Sequence, residues 1–213
     1  MPLVVFIEGN IAAGKSSVVS SLKKHCGGGS SVVWLTEPVD QWVQRGFLDY
    51  AYSGAATPAA FQNMVMVHNW CRLAGALEDE SVEVIVCERS FFTNYHVFAP
   101  LNLGTGPDYE LLRATFGLLL DRIRTGVDFK FVYLNVSPQL AHRRCKQRAR
   151  GREASLPESY FVALDELHRK WLGGVKGCVV VDASKRPREV VRLTARAILD
   201  HIRDIKKKLV NTR

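Results

Sequence analysis

Apolar residues gather along the chain in five short runs rich in β-branched side chains, a pattern typical of buried parallel strands. The runs are residues 3–7, 32–36, 81–87, 129–134 and 178–181. Between the runs, apolar residues recur in steps of three or four, which predicts helices with one buried face. Strands that alternate with helices predict an α/β fold, a five-stranded parallel sheet with helices on both faces.

The helices between these strands have recognisable boundaries. Residues 14–26, 58–77, 108–125, 138–150 and 157–172 are predicted to be helical, and a last helix carries apolar residues from Val190 to Leu209. Ser137 followed by Pro138 predicts an N-cap and a first helical position. Loops are predicted at 53–57, 102–107 and 151–156. With no internal repeat or linker, residues 1–213 are expected to form one domain.

One motif lies directly between the first strand and the first helix. It fits G-x-x-x-x-G-K-[ST], whose backbone N–H groups surround phosphates while the lysine reaches the terminal ones and the hydroxyl ligates Mg²⁺. The segment therefore predicts a site for a nucleoside triphosphate. The expected contact residues are Gly9, Asn10, Ile11, Ala12, Ala13, Gly14, Lys15, Ser16 and Ser17.

Composition adds a bias toward anionic partners. The 213 residues carry 29 Lys+Arg and 21 Asp+Glu, a formal net charge of +8. Nucleic acid, an acidic membrane surface and a polyphosphate nucleotide would all suit that charge. No apolar run approaches the ~18 residues of a membrane-spanning helix. We find no pattern of a signal or transit peptide, so the expected location is the cytoplasm, with no membrane association.

Acids and cations follow several of the predicted strands. Glu37 comes after the second strand, Glu88 and Arg89 after the third, and an arginine-rich segment at 143–152 lies beyond the fourth. The carboxyl ends of parallel strands meet at one edge of a sheet, where ligands bind. We therefore expect these side chains beside the phosphates. The Asn-Lys-x-Asp tetrad of GTPases is missing from the sequence, which argues against that class.

Taken together, the motifs resemble the deoxynucleoside kinase family in content and order over about residues 3–172. The matching blocks are IEGNIAAGKSS (7–17), TEPVDQW (36–42), FQ (61–62), ERSFFTNYHVFA (88–99) and RRCKQRARGREASLPESYF (143–161). The resemblance implies a P-loop kinase fold with an Arg-rich lid at about 143–156. It also implies transfer of the ATP γ-phosphate to the 5′-hydroxyl of a deoxynucleoside in nucleotide salvage, with Mg²⁺. A homodimer through the helices near 58–77 and 108–125 is expected.

The resemblance also assigns roles in phosphate transfer. Glu37 would take the proton of the 5′-hydroxyl, and Arg89 would bridge that oxygen and the transferred phosphate. Glu88, with Ser16, would hold Mg²⁺. Arg144 would lie near the adenine ring. The residues expected to act in the transfer itself are Lys15, Glu37, Arg89, Arg148 and Arg150.

For the nucleoside, the central residue is Gln62, whose amide can pair with thymine or, turned over, with cytosine. Glu153 is expected to hold the sugar 3′-hydroxyl with Tyr52, which we prefer to Tyr50. Val65 matches thymidine-accepting members, whereas Asn69 and Asn94 depart from the family's patterns; the prediction is thymidine first and deoxycytidine second. The expected nucleoside contacts are Glu37, Trp42, Tyr52, Phe61, Gln62, Val65, Arg89, Asn94, Phe98 and Glu153.

Two other functions stay open at this point. A nucleoside monophosphate kinase, such as a thymidylate kinase, shares the P-loop and the basic lid, but it needs no base like Glu37. A nucleic-acid-binding P-loop protein would suit the pI of about 9.4 and the basic tail at 203–213. The chain lacks a basic stripe with interleaved aromatic residues, which makes nucleic acid the less favoured partner.

Overall fold

A computed structural model describes residues 2–26, 31–53, 58–123 and 126–211, with the backbone alone at 26, 206 and 208–211. Within these ranges, five parallel strands form one sheet in the order β2-β3-β1-β4-β5. The strands are β1 (Leu3–Gly9), β2 (Val32–Leu35), β3 (Val84–Glu88), β4 (Asp128–Asn135) and β5 (Val179–Asp182). The expected α/β class and five-stranded parallel sheet are confirmed.

Ten helices connect the strands in the described ranges. They are α1 (Lys15–Cys26), α2 (Val39–Gln44), α3 (Phe47–Tyr52), α4 (Pro58–Leu77), α5 (Phe91–Thr93), α6 (Ala99–Leu103), α7 (Pro107–Asp121), α8 (Pro138–Arg148), α9 (Glu158–Gly173) and α10 (Pro187–Asn211). A π-helical turn at Asn94–Phe98 and a 3₁₀ helix at Gly151–Ser155 complete the set. None of the described helices has the length and apolar character needed to span a bilayer.

The central strand β1 explains why both faces of the sheet are covered. It lies between β3 and β4, and every one of its residues is buried. Because side chains alternate across a strand, Leu3, Val5 and Ile7 pack into a core with α1 and α10. Val4 and Phe6 pack into a second core with α4 and α7. A strand buried on both faces has a continuous run of apolar residues, and the run at 3–7 correctly predicted such a strand.

Four predicted boundaries differ from the structure. The third strand begins at Val84, because Asp79 accepts hydrogen bonds from Ser81 in a turn just before it. The helix after Ser137 ends at Arg148 instead of 150, because Ala149 takes a left-handed conformation with φ +50°. The predicted loops at 102–107 and 151–156 are partly helical. Of the predicted loop 53–57, residues 54–57 lie outside the described ranges.

Candidate active site

The P-loop leaves the carboxyl end of β1 through a glycine that no other residue can replace without strain. Gly9 has φ +147°, and a Cβ built on it would lie 2.7 Å from the carbonyl oxygen of Leu134. Beyond it, the Lys15 ammonium donates to the carbonyl oxygens of Gly9 at 3.0 Å and Asn10 at 2.8 Å. Burial, aided by nearby Arg89, lowers the pKa of Lys15 to about 7. The lysine that would meet phosphate is thus already folded over the loop.

Asn10 has a role that its place in the motif does not reveal. Its side-chain nitrogen donates to the carbonyl oxygen of Phe161 at 2.9 Å, and its side-chain oxygen accepts from the Ile11 N–H at 2.8 Å. The residue is 1% exposed. Asn10 therefore ties the P-loop to α9, and its side chain is occupied within the protein.

The predicted acids and arginine meet at the carboxyl edge of the sheet. The Ser16 hydroxyl donates to Glu88, whose other oxygen accepts the Glu37 N–H at 3.2 Å. Arg89 lies 3.4 Å from the Glu37 carboxylate and donates to the Gly9 carbonyl oxygen at 3.3 Å. These contacts join the P-loop, the segment after β2 and the end of β3 into one cluster, as the sequence predicted.

Glu8 lies next to this cluster and holds the residues that follow Arg89, a role that was not predicted from the sequence. It is completely buried and accepts from the Ser90 N–H at 2.9 Å, the Ser90 hydroxyl at 2.5 Å and the Thr93 hydroxyl at 2.6 Å. Burial raises its pKa, with Arg89 opposing the shift. Arg89 itself has φ +62°, unusual for a residue with a side chain. A carboxylate directly after an apolar strand run and before the glycine of the P-loop was the signal that could have drawn attention to Glu8.

Two neighbouring cavities open above the cluster. The first has a volume of about 610 Å³, in the range of ligand sites, and the second is a slot of about 60 Å³. The first is lined by Ile11, Ala12, Ala13, Gly14, Lys15, Ser16, Ser17, Glu88, Arg144, Arg148, Arg150 and Lys185, among others. Five residues line both cavities: Ile11, Glu37, Val39, Arg89 and Glu153.

The slot gathers the side chains predicted to bind a nucleoside. Its lining includes Trp42, Tyr52, Phe61, Gln62, Val65, Asn94, Phe98 and Glu153. The Trp42 indole donates to His68 at 3.2 Å, and its ring meets that of Phe61 edge to face. The Arg89 guanidinium lies over the ring of Phe98, with 5.0 Å between its Cζ atom and the ring centroid. Tyr50, by contrast, is 59% exposed.

Asn69, which departs from the family's patterns as Asn94 does, lies outside the described lining of the slot. It is buried, and its side-chain oxygen accepts from Arg72 at 3.3 Å. Burial lowers the pKa of Arg72. No role was predicted for Arg72, although residues three apart on a helix are neighbours, as Asn69 and Arg72 are on α4.

The arginine-rich segment folds back over both cavities. Arg148 pairs with Glu153 at 2.6 Å, and Arg150 reaches Asp40 of α2 at 3.5 Å. The backbone N–H of Arg152 donates to Asp49 of α3 at 3.1 Å. Arg144 donates through two guanidinium nitrogens to the carbonyl oxygen of Ala183, at 3.1 Å each. The segment thus spans from the wall of the large cavity to the helices that border the slot.

No group of three or more His, Cys, Asp or Glu side chains in the described parts of the chain is arranged to hold a metal ion by itself. The Ser16 hydroxyl and the Glu88 carboxylate nonetheless supply the hard oxygen ligands that Mg²⁺ prefers. Since Mg²⁺ keeps several waters and binds substrate phosphates, one or two protein ligands are sufficient.

Comparisons with known proteins agree with this geometry. A sequence model of the family "Deoxynucleoside kinase" matches residues 5–208. Thymidine kinase of Ictalurid herpesvirus 1 is 32% identical over 199 residues, covering 89% of this chain and 82% of the relative. Human mitochondrial thymidine kinase 2 is 29% identical over 185 residues, covering 82% of this chain and 65% of that relative.

A solved structure shows the same fold. Deoxyadenosine kinase from M. mycoides, with the products dCMP and dCDP bound, superposes with a TM-score of 0.73 at 21% identity, covering 92% of this chain and 99% of that one. The family match extends over nearly all of the described residues, and both of the relatives described above are named kinases. The chain belongs to the deoxynucleoside kinase family and is a nucleoside kinase.

Proposed function

We propose that the enzyme transfers the γ-phosphate of ATP to the 5′-hydroxyl of a pyrimidine deoxynucleoside, a step of nucleotide salvage. The observation that carries the proposal is the shared wall between the two cavities. A triphosphate in the large cavity and a nucleoside in the slot would meet beside Glu37 and Arg89, whose side chains lie 3.4 Å apart. A carboxylate and a guanidinium at this junction suit proton removal and charge neutralisation respectively.

In this mechanism Glu37 takes the 5′-hydroxyl proton while the oxygen attacks the γ-phosphate. Arg89, fixed by its contacts with Gly9 and Phe98, holds the attacking oxygen and the transferred group in line. Lys15, Arg148 and Arg150 line the same large cavity and neutralise charge on the phosphates. Because the transition state is loose, positioning and electrostatic stabilisation are the larger contributions.

Ser16 and Glu88 are the residues that would hold Mg²⁺, which supplies charge neutralisation on the phosphates when it is bound. At the far side of the large cavity, the double hydrogen bond of Arg144 to Ala183 fixes its guanidinium plane. A planar cation held in this way suits stacking against the adenine ring.

The segment 143–156 acts in this proposal as a lid. The slot, at about 60 Å³, is far smaller than the ~300 Å³ at which ligand cavities begin, so its walls have to separate before a nucleoside enters. The contacts of Arg150 with Asp40 and of Arg152 with Asp49 are exposed, and such contacts contribute little stability. Separating the lid from α2 and α3 at this point therefore costs little free energy. Glu153 and Tyr52, which both border the slot, would then close on the sugar.

Pyrimidine preference is supported by the lining of the slot. Gln62 offers an amide to the base, and Trp42, Phe61 and Phe98 provide flat apolar walls. Val65, also in the lining, leaves room beside the base without a charged group. The test is phosphate transfer from Mg-ATP to thymidine, deoxycytidine, deoxyadenosine, deoxyguanosine, uridine and thymidine monophosphate. Turnover of the two pyrimidine deoxynucleosides is expected; turnover of purines alone, or of the monophosphate alone, would contradict the proposal.

We also propose a homodimer through α4 and α7. These helices lie side by side, with the Trp70 indole donating to the Leu119 carbonyl oxygen at 2.7 Å. Leu111 and Leu118, seven residues apart and so on one face of α7, are 65% and 68% exposed. Two large exposed apolar side chains on one helix face favour an interface.

A charge placed on that face is expected to separate the subunits. Sedimentation velocity of the wild type should give a dimer, and Leu118→Glu should give a monomer at micromolar concentration. The matched control is Leu199→Glu on α10, where the leucine is also half-exposed. A monomeric wild type, or a dimer that survives Leu118→Glu, would refute the interface.

A further inference from the structure

One aromatic wall of the slot is bonded to a side chain that is not part of the slot. Trp42 lines the slot, and it is the one buried residue among the six of α2, all of which are described. Its indole N–H donates to Nδ1 of His68 on α4 at 3.2 Å, and the two rings meet edge to face with their centroids 5.9 Å apart. His68 is half-buried and lies outside the described lining, so it meets the slot through Trp42.

The direction of this hydrogen bond determines the protonation state of His68. An indole nitrogen can only donate, so Nδ1 has to accept, and the imidazole has to be neutral with its proton on Nε2. Burial, aided by Arg72 on the same helix and Arg45 just after α2, lowers the pKa of His68. Both arginines are cations that face the imidazole, and they disfavour its charged form. The surroundings of His68 therefore keep the acceptor that the Trp42 indole needs.

Loss of this acceptor would change the slot. A buried N–H without a partner is costly, and the indole can turn about its two side-chain bonds to reach another partner. Because the slot has a volume of only about 60 Å³, a turn of a wall as large as Trp42 changes the space and the flat surface offered to a nucleoside.

We infer that His68 is a positioning residue for the nucleoside, which holds the Trp42 ring in one orientation along the slot. The inference rests on the proposed function and deepens it by one residue for which no role was predicted. A wall that is held in place binds the nucleoside equally well before and during phosphate transfer. Its loss should therefore raise the nucleoside KM and leave kcat nearly unchanged.

The test is steady-state phosphorylation of thymidine and deoxycytidine at saturating Mg-ATP. His68→Leu keeps the bulk of the side chain but has no acceptor, so the nucleoside KM should rise about fivefold, the loss of one hydrogen bond, while kcat stays within about twofold. His68→Asn should restore most of the affinity, because its side-chain oxygen can accept near the position of Nδ1. The matched control is His25→Leu at an exposed site on α1, outside the described lining of both cavities, which should keep the wild-type KM.

Two further measurements separate positioning from a general structural effect. Trp42→Phe has no indole N–H, so adding His68→Leu to that variant should raise KM by less than about a further twofold. In the wild type, KM should rise only at a pH below about 6.5, because the pKa of His68 is lowered from the ordinary histidine value and an imidazolium offers the indole no acceptor. This rise in acid should be missing from His68→Asn.

Thermal unfolding of each variant identifies a folding defect. If His68→Leu does not fold, the comparison of the wild type with His68→Asn across pH decides, and the same pH response in both overturns the inference. An unchanged KM in His68→Leu, an equal rise in His68→Asn, or the full fivefold effect on top of Trp42→Phe overturns the role of His68, while turnover by the wild type leaves the proposed function intact. A wild type that phosphorylates no deoxynucleoside overturns the proposed function and this inference with it.

Discussion

Glu37→Gln is expected to lower kcat for deoxynucleoside phosphorylation by about 10²- to 10⁴-fold, the usual contribution of a general base. Glutamine keeps the size of the side chain and an oxygen that can accept from Arg89, 3.4 Å away. It cannot take a proton from the 5′-hydroxyl. The expected loss is partial because the P-loop, Arg89 and the lid arginines still position and neutralise the phosphates.

The measurement is single-turnover phosphate transfer at saturating Mg-ATP, so that product release does not mask the chemical step. Glu110→Gln, an exposed acid on α7, is the matched control and should keep wild-type rates. If Glu37→Gln stays within a few-fold of the wild type, the proton leaves by another route and Glu37 is a positioning residue at most.

The second large effect is expected at Glu8, where alanine should lower the free energy of unfolding by about 3–9 kcal/mol. Three buried donors, the Ser90 N–H and the hydroxyls of Ser90 and Thr93, would lose their acceptor, and each unpaired donor costs about 1–3 kcal/mol. That is a large part of the ~5–15 kcal/mol by which domains are stable. Activity should fall as well, since Ser90 directly follows Arg89.

Urea unfolding followed by circular dichroism measures the change in stability. Glu8→Gln keeps an acceptor oxygen and the volume of the side chain, so its loss should be clearly smaller. Glu80→Ala, at an exposed position before β3, is the control and should change stability by less than about 0.5 kcal/mol. Wild-type stability in Glu8→Ala would show that the network under Arg89 is not a structural support.

The sequence was sufficient to predict the architecture and to predict which side chains would lie together at the sheet edge, for identifiable reasons. Strands buried on both faces appear as unbroken apolar runs, and the P-loop has a fixed spacing, so β1, α1 and Lys15 could be placed by pattern. Glu37, Glu88 and Arg89 follow strands, and the parallel sheet then brings them together. Contacts made far along the chain have no such pattern: Asn10 bonds Phe161, 151 residues away, and Glu8 bonds Ser90, 82 residues away.

Local backbone conformation was the second feature that could not be predicted from the sequence. Ala149 has a residue type that favours helix, yet it ends α8 in a left-handed conformation and turns the chain toward the 3₁₀ helix. The turn is explained by tertiary contacts, since Arg152 and Gly151 pack against Asp49. The orientation of the Gln62 amide likewise depends on Asn94, which the sequence placed in the site without showing the hydrogen bond between them.

The five residues common to both cavities have a consequence for the proposed binding of a triphosphate in one cavity and a nucleoside in the other. A ligand that shifts Glu37, Arg89 or Glu153 from one side changes the surface offered to the ligand on the other side. Under the proposed function the two binding equilibria are therefore expected to be linked, and thermodynamic linkage is reciprocal: the factor by which the triphosphate changes nucleoside affinity would equal the factor by which the nucleoside changes triphosphate affinity. Because so few side chains separate the two cavities, the occupancy of one proposed site is expected to depend on whether the other is filled.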